Sequence, residues 1–167
     1  SCPLNFEGNK NFEILDSKEI DILILGNFSI VEQKTLLDDT LQKIFKRDYI
    51  ETKIGYINPV LCNTPSNREP SELEIKCCEK YFIEYVEKTK PKIIIGFGDF
   101  ITGLFFKNKI ASLRGRTLPI KVGAHNTWFI SMYHPETILK KKRQFTNEWD
   151  KLFVWDIEFV RDFLEDY

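Results

Sequence analysis

The chain has no apolar run approaching the roughly eighteen residues that cross a bilayer, and no amino-terminal secretory signal pattern. A soluble, intracellular, cytoplasmic protein with no membrane partner is therefore expected. Neither Gly-x-Gly-x-x-Gly nor a phosphate-loop Gly-Lys-Ser/Thr motif occurs, which excludes nucleotide binding of those kinds. No internal repeat, low-complexity tract or compositional break divides residues 1–167, so one domain is expected. An excess of either charge is missing too: 24 basic and 25 acidic residues leave a formal net charge of -1. Any affinity for nucleic acid must then come from local clusters. Cysteine is sparse and unevenly spaced, at Cys2, Cys62, Cys77 and Cys78. With no sign of secretion, metal ligation or buried thiols suit these residues better than disulfides.

What is present is a globular composition, 43% hydrophobic, with fourteen Phe in 167 residues, which predicts a core filled by aromatic as much as by branched side chains. A chain of this length buries about two-thirds of its unfolded surface. Buried strands are expected at Ile20 to Gly26, Ile54 to Leu61 and Lys92 to Gly98. Amphipathic helices are expected over Val31 to Phe45, Ser71 to Lys90 and about Thr146 to Leu164, with Asp99 capping a short helix through Phe106. Leu118 to Val122 and Thr127 to Tyr133 read as a hairpin turning at Gly123 to Asn126. Apolar strands alternating with helices imply an α/β fold, a three-layer α/β/α sandwich around a mainly parallel sheet. Ligands of such sheets bind beyond the carboxyl ends of the strands.

Four segments at those ends carry chemistry. The loop after the second strand holds Asn58, then Cys62, then Asn67, Arg68, Glu69 and Pro70. Ser71 and Glu74 form a capping box that starts the next helix, and Cys78 lies sixteen positions after Cys62. Cys78 shares a helix face with Ile75, Phe82 and Tyr85, so a buried core thiol is the alternative to a metal ligand. Gly26, Asn27 and Phe28 follow the first strand, where either a reacting group or a plain strand end with Ser29 as a helix cap fits. His134, fixed by Pro135, suits hydrogen bonding to an oxygen that gains charge in a transition state, although strand-end histidines are often structural. His125 falls in the hairpin turn and is the weaker of the two. Arg114 and Arg116, and the run Lys140, Lys141, Lys142 and Arg143, are the local basic clusters. They suit phosphate contact, with a solvated loop as the alternative for the lysine run.

Taken in order, these parts resemble the uracil-DNA glycosylase superfamily, most closely its iron-sulfur branch, family 4. Asn58 stands four residues before Cys62, Asn67-Arg68-Glu69-Pro70 follows, and Cys78 has the spacing of the last cluster ligand. Ile93 to Gly96 resembles the next strand, Leu113 to Arg116 the Arg-Gly-Lys turn, and His134-Pro135 the start of the His-Pro-Ser motif. The resemblance implies a DNA glycosylase that flips a nucleotide into a pocket at the strand ends and acts on DNA as a monomer. It implies that His134 stabilises charge on the base O2, that Asn58 reads the base edge and that Phe28 stacks on the base. Water would be held near Gly26 and Asn27. It also implies a [4Fe-4S] cluster on Cys2, Cys62 and Cys78, with one expected ligand missing from the chain and Cys77 as a substitute.

The departures from that pattern are specific. Asn27 stands where the family carries a water-activating carboxylate, and the stretch after it is shortened. Glu136 replaces the serine of His-Pro-Ser, placing a negative charge where a hydroxyl would face phosphate. Two functions remain in view. One is base excision of uracil or a modified pyrimidine, in a phage or anti-phage setting. The other is a catalytically inactive DNA-binding or scaffolding domain of a replication or repair assembly.

Overall fold

Ile22–Leu25 (β1) and Ile93–Phe97 (β3) are buried at every position, because the sheet they occupy is covered on both faces. The computed structural model describes residues 18–28, 30–58, 71–144 and 148–166. Around β1 and β3 lie β2 (Ile54–Ile57), β4 (Leu118–Val122) and β5 (His125–Met132). The strand order is β2-β1-β3-β5-β4, parallel throughout except for the β4–β5 pair. The mainly parallel α/β sheet expected from the sequence is what forms.

Alternation along each strand splits the core in two. Ile22, Ile24, Ile93, Ile95 and Ile130 face one cluster, covered by α1 (Val31–Ile44), α6 (Pro135–Gln144) and α7 (Glu148–Asp166). Leu23, Leu25, Ile94 and Phe129 face the other, covered by α3 (Glu72–Thr89) and α4 (Asp99–Phe105). On that second face a β-carbon at Gly96 would collide with the Phe129 ring, so glycine lets an aromatic lie flat on the sheet. Above it, the hydroxyls of Thr102 and Ser131 pair at 2.6 Å and satisfy each other in the apolar layer.

The helix between β2 and β3 begins as its sequence dictates. The Glu74 N–H donates to the Ser71 Oγ at 3.3 Å, and the Ser71 N–H donates to the Glu74 carboxylate at 3.4 Å. Such a cap contributes about 1 kcal/mol. The chain leaves β1 into α1 on one face and leaves β3 into α4 on the opposite face. The two connections diverge, opening a crevice between the carboxyl ends of β1 and β3.

Several boundaries differ from expectation. The second strand stops at Ile57: Asn58, expected within it, is not part of a strand, and 59–61 lie outside the described residues. A helix, α2 (Arg47–Lys53), precedes it; none of its residues is fully buried, so it carries no apolar stripe to read. A further short helix, α5 (Ile110–Leu113), follows α4. Asp99 is the first residue of α4, not its cap: Gly98 holds that position, and the Asp99 carboxylate accepts the Ile110 N–H at 3.1 Å. The hairpin turns at Gly123 and Ala124, which places His125 in β5 and not in the turn. Gly123 has φ 58, and the Glu87 carboxylate accepts the Ala124 N–H at 2.9 Å. Lys140 to Arg143 are helical, within α6.

Candidate functional site

The carboxyl ends of β1, β3 and β5 bring Gly26, Asn27, Phe28, Gly98 and His134 together. His134 is placed by the start of α6. Its carbonyl accepts the Thr137 and Ile138 N–H groups at 2.9 and 3.2 Å, and Pro135 takes the first helical position, where a missing N–H is harmless. The same turn aims the Glu136 backbone N–H at His134 Nδ1, 3.0 Å away. A nitrogen that accepts a hydrogen bond carries no proton, so the proton of the neutral ring sits on Nε2. From there it donates to the Asn27 carbonyl at 2.8 Å.

The electrostatics favour the uncharged ring. Burial of the ring pushes the His134 pKa below its ordinary value of 6.5, while the Asn27 carbonyl and the Glu136 carboxylate pull the other way without prevailing. The outcome is an uncharged donor facing the crevice.

Phe28 covers this histidine. The two rings lie nearly parallel, with 19° between planes and centroids 5.2 Å apart, and Phe28 also meets the Phe97 ring edge-on at 5.7 Å. Its ring tip lies 3.0 Å from where a β-carbon on Gly26 would stand, so the ring curls back over the glycine. Gly98, at φ +93, carries the chain past the other side, where a β-carbon would lie 3.6 Å from His134 Cβ. The Asn27 side chain is exposed at the rim. Asn58 is half-buried at the end of β2, one residue after Ile57, whose carbonyl accepts the Gly26 N–H at 3.3 Å.

The basic side chains have unequal surroundings. Arg114 Nε donates to Asp156 on α7 at 2.9 Å, with side-chain exposures of 29% and 10%. Burial raises the Asp156 pKa even against the Arg114 guanidinium, so this ion pair fastens the α5–β4 turn to the body of the fold. Arg116 is exposed two residues later, beyond Gly115 with φ 78. On α6, Lys140 faces Glu136 at 3.4 Å, Lys142 faces Asp150 at 2.6 Å and Arg143 faces Glu32 at 3.1 Å. Lys141 lies over the Trp149 ring at 5.9 Å. These ion pairs lie at the surface and are worth little individually.

Of the cysteines, Cys78 is buried on α3 and Cys77 is half-buried, and neither forms a disulfide. Cys2 and Cys62 lie outside the described residues. Among the described residues no group of three or more His, Cys, Asp or Glu is placed to hold a metal. An open groove of about 500 Å³ between α1 and α2, lined by Asp38, Leu41, Phe45 and Arg47, includes none of the strand-end residues.

The Glu136 N–H that sets the His134 tautomer has no signature in the sequence, because a backbone donor has no residue-type signal. Asp156 is equally hidden as the partner of Arg114, since 42 positions separate them.

Over 88 residues the chain is 32% identical to the Type-4 uracil-DNA glycosylase of Saccharolobus solfataricus, covering 49% of this chain and 41% of that protein. Over 105 residues it is 27% identical to the Type-4 uracil-DNA glycosylase of Archaeoglobus fulgidus, covering 59% and 52%. It thus spans about half the length of these relatives. A segment of the DNA polymerase of Bacillus phage SP01 is 31% identical over 113 residues, which is 67% of this chain and 11% of the polymerase. The Uracil DNA glycosylase superfamily profile matches residues 28–157, from Phe28 through His134 to Ile157 in α7, and the chain belongs to that superfamily.

Proposed function

We propose that this protein is a DNA glycosylase that hydrolyses the N-glycosidic bond of a flipped uracil or modified pyrimidine. The observation that carries the reading is the neutral His134, with its proton on Nε2 at the mouth of the β1–β3 crevice. When the glycosidic bond breaks, its electron pair leaves with the base and negative charge gathers on the base O2. A neutral N–H donor stabilises that oxygen as charge develops, and such a donor is worth roughly 10²- to 10³-fold in rate. Water adds to the sugar carbon, and its proton ultimately balances the charge on the departing base.

The other residues take roles around that centre. Phe28 leaves His134 and stacks on the entering base, and the space above Gly26 that its ring now fills receives the pyrimidine. Asn58 reads the base edge with an amide that both donates and accepts. The exposed Asn27 amide orients the water in place of a carboxylate, which implies a lower rate than a charged base would support. Arg116, Lys140 and Lys141 contact backbone phosphates. Arg114 supports the same turn through Asp156, and its remaining guanidinium donors face the same backbone. A short turn after β1 accommodates a bulky pyrimidine such as phages incorporate, which suits a phage or anti-phage role.

A [4Fe-4S] cluster fits part of the donor set. Cys78 offers a buried thiol on the face of α3 that packs toward β2, the strand leading to Cys62. Cys77 points about 100° around the helix from Cys78 and is the poorer ligand. With Cys2 and Cys62, a cluster would tie the amino-terminal segment and the Cys62 loop to α3, a structural task separate from base release. Iron and acid-labile sulfide in anaerobically purified protein, lost in Cys78→Ser, test this assignment. Colourless protein without iron would remove it.

The deciding assay is alkali-labile strand breakage on oligonucleotides carrying uracil, hydroxymethyluracil or glycosylated cytosine, single-stranded and paired. Abasic product from at least one is expected. A second reading, a non-catalytic domain of a replication assembly, is favoured by the absent carboxylate at Asn27 and by the similarity to part of a phage DNA polymerase. It predicts DNA binding that survives His134→Ala, with no abasic product from any substrate.

A further inference from the structure

Gln33 is only 4% exposed on the core face of α1, and its side-chain Oε1 meets no donor among the described residues. Every other buried polar residue described has a partner. Thr40, on the same helix face, donates to the Leu36 carbonyl at 2.8 Å. Folded proteins rarely leave such an atom unpaired, because its lost hydration then goes uncompensated. Leu or Met would fill the same place without that cost, so the amide needs a reason.

Its position links it to the crevice. Gln33 is the third residue of α1 and precedes Leu37 by about one turn, so both side chains point toward the sheet. The charged neighbours turn aside: Lys34 meets Asp38 at 3.1 Å, and Glu32 meets Arg143 at 3.1 Å. Leu37 belongs to the cluster of Ile24, Ile95 and Phe97. Because α1 starts at the carboxyl end of β1, Gln33 stands about 5.4 Å nearer the strand ends than Leu37. Phe28 lies against Phe97 and His134 at that end of the sheet. A buried acceptor thus stands on the side of the crevice that Phe28 covers.

We infer that the Gln33 amide selects the base by accepting a hydrogen bond from a donor carried on C5 of the pyrimidine, as in a 5-hydroxymethyl group. The inference rests on the glycosylase reading and names the class of base for the same site. In that reading His134 holds O2 and Asn58 reads the N3–C4 edge, from β5 and β2 on either side of β1. The edge left for α1 is C5–C6. Hydrogen at C5 of uracil and methyl at C5 of thymine give an amide oxygen no donor. A hydroxyl there does, and the unpaired Oε1 gains its partner when that base enters. Thymine would bring bulk to the same place and leave the acceptor unmet, which is how a polar pocket rejects an apolar analogue.

The test is single-turnover base release from single-stranded oligonucleotides carrying uracil, thymine or 5-hydroxymethyluracil. Wild-type protein is compared with Gln33→Met and Gln33→Leu, two apolar variants of different shape, with melting curves confirming the fold. Wild-type protein should release 5-hydroxymethyluracil at least about tenfold faster than thymine. The variants should lose roughly tenfold on 5-hydroxymethyluracil, change less than about twofold on uracil and melt no lower than wild type. Equal losses on all three bases, an unchanged 5-hydroxymethyluracil-to-thymine ratio in a folded variant, or no such preference in wild-type protein overturns the inference. If wild-type protein releases no base at all, the glycosylase reading fails, and fluorescence anisotropy of the same oligonucleotides decides the inference separately. Tighter binding of the 5-hydroxymethyluracil strand than of the thymine strand, lost in Gln33→Met, supports it; equal binding overturns it.

Discussion

The two histidines of this chain sit at opposite ends of one strand and make similar bonds to different effect. His125 opens β5, and its Nε2 bonds the Pro91 carbonyl at 2.7 Å, an oxygen that Thr127 also reaches at 2.9 Å. His134 follows β5, and its Nε2 bonds the Asn27 carbonyl at 2.8 Å. At the amino end the bond ties two strands' approaches together inside a set of local contacts. At the carboxyl end the acceptor belongs to a short turn, an aromatic ring lies over the histidine, and a second backbone group fixes the tautomer. Hydrogen bonding alone does not separate the two histidines; on the proposed reading, what differs is whether the acceptor can be exchanged for a ligand.

The sharpest way to break this comparison is to remove each ring. His134→Ala is expected to slow base release by roughly 10²- to 10³-fold with little change in melting, and His134→Gln to recover part of the rate by restoring an N–H donor. His125→Ala should leave the rate unchanged and lose about 1 kcal/mol of stability in urea unfolding. Reversed outcomes would mean that the roles of the two ends have been exchanged.

The two arginines of the α5–β4 turn sharpen it next. Arg114→Ala leaves the Asp156 carboxylate buried without its partner and should destabilise the fold by about 1–3 kcal/mol. Arg116→Ala should leave stability unchanged and weaken DNA binding, lowering the salt-dependence slope by about 1. Equal effects of the two on stability would contradict the assignment of Arg114 as the anchor.

Acidity separates the ends more gently. The folded His134 has a depressed pKa, so as pH falls through the ordinary histidine value near 6.5 the unfolded chain takes up a proton first. Stability should therefore decline from that pH down to the folded value and then level. Base release should persist through the same window and fall only below it. In His134→Gln this component of the decline disappears, which urea midpoints at a series of pH values would register.

The smallest effect concerns the ring over the histidine. Gly26→Ala must push Phe28 aside by a few tenths of an ångström, and because that ring is only half-buried, stability should change by less than about 1 kcal/mol. A larger loss would show that the stack is part of the core.

Much of this molecule was legible in its sequence where the signal is local. The Ser71–Glu74 box, the apolar runs of β1 and β3 and the Pro after His134 act within a few residues, and they stand as expected. α2 was not legible because only Tyr49 and Ile50 of its seven residues pack against the core, adjacent positions that make no helical stripe. The fate of the basic run was hidden too: Arg143 pairs with Glu32, 111 positions away, and Lys142 with Asp150 on the next helix. Contacts across the fold leave no trace in spacing. The His134 tautomer depends on a backbone N–H, so only the geometry of the β5–α6 turn discloses it.

The proposed chemistry requires an uncharged His134 that presents its proton on Nε2. Two-dimensional ¹⁵N–¹H spectra of the imidazole nitrogens, followed across pH, test that directly. They should show an Nε2–H, unprotonated Nδ1 ring at neutral pH that titrates below the ordinary histidine value. A proton on Nδ1, or a doubly protonated ring at neutral pH, would contradict it.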